Sequence, residues 1–107
     1  MYHIMPQRFT SFPSIEPLSG STEVLYRIYL EIAASDHRCR IQALYGKQAP
    51  PTGHTPYRPL PMSHFVDRFE SAKGLPNGEV LFRKQMARLA RVYGIDCVAV
   101  VAGRVAA

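Results

Sequence analysis

Arg83, Lys84, Arg88 and Arg91 place four positive charges within nine residues, with no acidic residue among them. Guanidinium groups donate in a planar fork that suits phosphates and carboxylates, and a run of them on one element is the pattern of a surface that holds a polyanion by salt-sensitive contacts. Glu79, four residues before Arg83, can neutralise that one cation as its helical partner. The other three would project together. A merely solvated helix face carries the same charges, and neither a base-stacking aromatic pair nor a helix-turn-helix signature stands nearby. The charges therefore point to phosphate contact without base reading. The leading expectation is a small basic non-enzymatic binding protein, contacting nucleic acid or another polyanion through this helix.

Metal and nucleophile chemistry find less support. His37 and Cys39 are one residue apart, and His3, His54, His64 and Cys97 could in principle complete a zinc site, but no paired CxxC spacing is present. No metal or cofactor is expected. Asp36 and His37 are chain neighbours, and neighbours on a strand point apart, so they form no dyad by themselves. GxSxG, HExxH, GxGxxG and GxxxxGK[ST] are all absent. The chain does not read as an enzyme.

A third candidate is the proline-rich connection over residues 46–62, where five of the nine prolines fall. Such density forbids regular structure, and a connection this long is functional or mobile. Its segment Pro56-Tyr57-Arg58-Pro59-Leu60-Pro61 offers an aromatic and a cation on extended backbone, a form that docks into aromatic grooves or serves as a stiff connector. His54, Tyr57 and Arg58 are the partner-binding candidates here. A protein-interaction module, an adaptor or an inhibitor, is accordingly the alternative function.

The elements that must position these residues follow from periodicity. Residues 22–45 can be read two ways. Val24, Tyr26, Ile28, Leu30 and Ile32 alternate with Glu23, Leu25, Arg27, Tyr29 and Glu31, as on a strand, and a turn at Ser35-Asp36-His37 leads into a second alternating run. Val24, Leu25, Ile28 and Ile32 also form a helical stripe, with Ser21 and Asp36 able to cap two helices and Gly46 able to end the second. The isoleucine, valine and tyrosine content favours a hairpin. Ser63 caps a helix over 63–73 with Phe65, Val66, Phe69 and Ala72 inward, and Asn77 caps another over 79–93 with Phe82, Met86, Leu89, Ala90 and Tyr93 inward. Ile95 to Val101 is apolar on both faces, as a central strand would be. The expected fold is α+β, a hairpin plus a C-terminal strand packed on two helices. Two helices cover one sheet face, so the other face would need the N-terminal segment, the proline-rich connection or a second copy, which makes a homodimer a physically motivated expectation.

Composition sets the outer bounds. With 107 residues, 47% hydrophobic and 20% charged, one domain with its own core fits and wholesale disorder does not. The first 20 residues, with three prolines, read as irregular beyond a short strand at Tyr2 to Met5, and Phe9, Phe12 and Ile15 would pin that segment to the core. Net charge is +5, carried mainly by residues 51–107, which favours nucleic acid or an acidic protein as partner. The longest apolar run, Cys97 to Ala102, is six residues, too short to span a membrane. Two cysteines and no signal-peptide pattern suit a reducing, cytoplasmic setting with both thiols unpaired.

Overall fold

Ser21 has extended backbone at φ −75° and ψ 170°, and its hydroxyl accepts the Val24 N–H at 3.3 Å. That bond satisfies one of the donors a helix start leaves open. In the computed structural model, which describes residues 15–48 and 57–103, a single helix, α1, then runs Thr22–Tyr45 for 24 residues. Gly46, at φ 63°, ends it by donating its N–H to the Gln42 carbonyl at 2.8 Å.

The expected hairpin over 22–45 is thereby corrected. Burial falls on Leu25, Ile28, Ile32 and Ser35, a three-and-four spacing, while the alternating partners Val24, Tyr26 and Leu30 are only half-buried. The Ser35-Asp36-His37 triplet does not turn the chain. Ser35 is buried and its hydroxyl accepts from Arg38 Nη2 at 2.9 Å, and Asp36 pairs with Arg40 one turn on at 2.9 Å. Ser35 and Asp36 thus find partners along the helix, and neither has to break it.

Helices α2 (Met62–Lys73) and α3 (Gly78–Val92) lie where periodicity puts them, with different starts. Pro61, not Ser63, is the residue before α2, and Asn77 precedes α3 in the left-handed region at φ 57° without a side-chain cap bond. The corner between them is tight. A β-carbon on Gly78 would lie 1.7 Å from the Ala72 carbonyl oxygen, so only glycine lets the two helix ends meet.

The expected strand at 95–101 is a short helix, α4 (Cys97–Val101). Asp96 starts it by accepting the Ala99 N–H at 3.1 Å. The cause lies in α1: a strand needs a neighbour to satisfy its backbone, and once residues 22–45 are helical none is available among the described residues, whereas a helix satisfies its own. Val100 turns inward and Val98 outward, so the segment is not apolar on two buried faces. The described residues are helical with no strand, which overturns the α+β expectation and removes the sheet face through which a homodimer was expected.

The core joins Leu25, Ile28 and Ile32 of α1, Phe65 and Phe69 of α2, Met86 and Ala90 of α3, and Val100 of α4. Helix α1 packs against all three others, and α2 against α3. Phe65 and Phe69 are 2% and 1% exposed, each stabilising the fold by roughly 1.5–3 kcal/mol through burial. Phe82 meets the Phe65 ring edge-on at 5.7 Å and the Phe69 ring at 5.1 Å, which fixes the rotation of α3 on this core. The charged side of α3 is set by that rotation.

Candidate anion-binding site

The four cations of α3 divide into one and three. Arg83 is folded inward, its side chain only 17% exposed. Its Nε donates to Glu79 Oε2 at 3.0 Å, and its Nη1 donates to the carbonyls of Leu18 at 2.9 Å and Gly20 at 3.0 Å. The guanidinium also lies 5.2 Å from the centre of the Phe69 ring, and the Leu18 N–H donates back to the Arg83 carbonyl at 3.2 Å. Arg83 is a clasp between α3 and the arriving N-terminal segment, with its Nε and Nη1 donors already engaged.

Lys84, Arg88 and Arg91 are exposed and make no hydrogen bond or ion pair with any described residue. At relative positions 0, 4 and 7 they form one stripe of about 10 Å along the helix. They rim a groove of about 1030 Å³, open to solvent, walled by Ile15, Leu75, Pro76, Leu81 and Phe82, with Ala72, Gly78 and Gln85 between. Among the described residues no carboxylate lines it. Arg91 also stands in the last turn of α3, where a cation complements the helix dipole and gains a little stability without being neutralised. The apolar walls were not visible in the sequence, because Leu75 falls between the helices read over 63–73 and 79–93. The signal that could have found them is the exposed pair Leu75 and Leu81 flanking a helix start that only glycine can build.

The other candidates come together less. Tyr57 stacks on His37 with ring centres 4.7 Å apart, and burial raises its hydroxyl pKa, with Tyr29 adding to the shift. The Leu60 carbonyl accepts from the Tyr26 hydroxyl at 2.8 Å, so residues 57–60 lie against α1. Arg58 is exposed. His54 lies outside the described residues, as do the proposed strand Tyr2 to Met5, Phe9, Phe12, His3 and the tip of the proline-rich connection. Ile15 does reach the groove.

Among the described residues no three His, Cys, Asp or Glu side chains gather as a metal site. Cys39 and Cys97 are free thiols; Cys39 is exposed, and burial raises the Cys97 pKa, which disfavours its reactive thiolate. Asp36 and His37 diverge: His37 faces Tyr57, whereas Asp36 accepts from the Tyr93 hydroxyl at 2.5 Å and from Arg40 Nε at 2.9 Å. The Tyr93 bond is the main cause that holds the Asp36 carboxyl below its ordinary pKa, and the same bond raises that of Tyr93. No described helix is long and apolar enough to cross a membrane. No family model matches the chain, and no curated protein or solved structure matches it either.

Proposed function

We propose that this is a non-enzymatic binding protein that takes an anionic macromolecule, nucleic acid or an acidic protein, on the exposed stripe of α3. One observation carries the reading: Lys84, Arg88 and Arg91 stand side by side with no carboxylate along their groove and no partner among the described residues. A solvated helix face ordinarily intersperses acids among its bases, as Glu79 does for Arg83 one turn earlier. The alternative, an interaction module built on the proline-rich connection and a bare sheet face, has lost the sheet, and Tyr57 packs back onto His37.

The test is anisotropy titration of labelled random-sequence duplex DNA and of polyglutamate at low and moderate salt, with the wild-type chain and R88A/R91A. Three phosphate contacts give a salt slope of about −2.7 on logarithmic axes, so duplex affinity falls about 40-fold between roughly 50 and 200 mM salt. The double substitution lowers the slope by about 2. Binding to neither probe at low salt, or binding indifferent to the substitutions, overturns the reading.

A further inference from the structure

The cations of α3 do not stand on polar ground. Leu75 from the corner and Leu81 and Phe82 from α3 form walls beside Lys84, Arg88 and Arg91, and Leu75 and Leu81 are 65% and 60% exposed. A phosphate backbone brings no apolar surface to cover such residues. Nucleic-acid bases would need flat aromatic platforms, and the one ring in the groove, Phe82, already packs on Phe65 and Phe69. A small molecule in a built pocket is mostly enclosed, whereas this groove is only partly enclosed.

What remains is a partner that is apolar on one stripe, acidic on the next, and repeats at the period of α3. The cations recur at relative positions 0, 4 and 7, the spacing at which another helix lying alongside presents its own side chains. Charge complementarity selects acids for that stripe, because the groove holds three cations and no carboxylate. We infer that the groove docks an acidic amphipathic helix of a partner protein, its aliphatic residues against Leu75 and Leu81 and its Asp or Glu side chains on Lys84, Arg88 and Arg91. This rests on the polyanion reading above and names the class of polyanion.

The experiment uses the full chain and three labelled probes in anisotropy titrations. The first is a helix-forming peptide of roughly 15 residues with leucines along one stripe and glutamates along the adjoining one. The second is a scramble of the same composition, and the third a random single-stranded oligonucleotide. The patterned peptide is expected to bind about tenfold more tightly than the scramble. L75S/L81S weakens it about tenfold with little change in salt dependence, and R88A/R91A weakens it about tenfold and flattens that dependence. Equal affinity for patterned and scrambled peptides, or indifference to L75S/L81S, overturns the inference. Tight binding of the oligonucleotide alone, lost in R88A/R91A, also overturns it while leaving the polyanion reading intact. Failure of every probe to respond to R88A/R91A sinks both. Both leucines are exposed, so the serine variant is expected to melt as the parent does. Should it not, movement of the Leu75 and Leu81 methyl resonances of the unaltered chain on peptide addition decides the matter, and their standing still overturns the inference.

Discussion

The first half of α3 and its second half carry the same residue type to opposite ends. Arg83 is surrounded by acceptors, a carboxylate and two carbonyls, while Arg88 and Arg91, one and two turns later, face a groove without a single acid. Sequence separates them by one letter of context, Glu79 standing four residues before Arg83. Structure separates them by a further 63 and 65 residues of chain, the distances to the Gly20 and Leu18 carbonyls. A basic run is therefore not one feature. Its structural member is the one a distant backbone has claimed, and its binding members are those left over.

The largest expected effect comes from breaking what both halves stand on. In G78A the new methyl would lie 1.7 Å from the Ala72 carbonyl oxygen, a backbone atom that cannot swing away, so α2 and α3 must separate. The expected cost is about 3 kcal/mol or more, the upper range for overpacking, read from urea denaturation. Gly78 also lines the groove, so binding and stability fall together in this variant. An unchanged midpoint would mean the corner is looser than described.

The next effect divides the halves. R83A strips the Leu18 and Gly20 carbonyls of their donor and leaves Glu79 unpaired, at an expected cost of about 1–2 kcal/mol, since hydrogen bonds from a charged donor are worth more than neutral ones. R88A and R91A, with no such partners, are expected to change stability by less than about 0.5 kcal/mol each and to lower affinity for polyanions instead. R83K keeps the charge but loses the fork, and is expected to recover only part of the R83A loss. If R88A destabilised as much as R83A, the division would be wrong.

The sequence showed some of this and hid the rest for identifiable reasons. Helices α2 and α3 were legible because Phe65 and Phe69, and Phe82, Met86 and Ala90, recur every four residues while Asp67, Lys84 and Arg88 would spoil the same face of a strand. Helix α1 was not, because Val24 to Ile32 satisfies period two and period 3.6 at once, and β-branched residues tilt such a tie toward a strand. The pairs that settle it, Glu23 with Arg27 and Asp36 with Arg40, are half visible: Glu23 stands four residues before Arg27 as a helix would place it, whereas a turn at Ser35-Asp36-His37 hides the second. Ile95 to Val101, in turn, looks like a central strand only if other strands exist to flank it. In the candidate site the spacing of Lys84, Arg88 and Arg91 was plain. The clasp on Arg83 was hidden because carbonyls have no side-chain identity, and any residue at positions 18 and 20 would supply one.

The smallest effect tests why the far end of α3 keeps its cations free. Asp36 from α1 reaches that end, but it is occupied by the Tyr93 hydroxyl and by Arg40. The Tyr93 bond holds the Asp36 pKa down, so its contribution to stability is present above the ordinary carboxylate value near 4 and is lost as pH falls through the lowered folded value. The same bond raises the Tyr93 pKa, so the tyrosine's share is full below about pH 10 and disappears as pH rises through the raised value. Y93F removes both: the Asp36 pKa moves up toward the ordinary value, held partly down by Arg40, and the stability curve flattens at both its acid and alkaline limbs. A carboxyl-carbon NMR titration of Asp36 and denaturation midpoints across pH check the two parts. Because Arg40 still holds Asp36 in Y93F, the stripe of Lys84, Arg88 and Arg91 should bind its polyanion with unchanged salt dependence. A weakened slope there would mean the freed carboxylate had swung to Arg88 or Arg91, and that Tyr93 is what keeps the binding half of α3 apart from the protein's own acids.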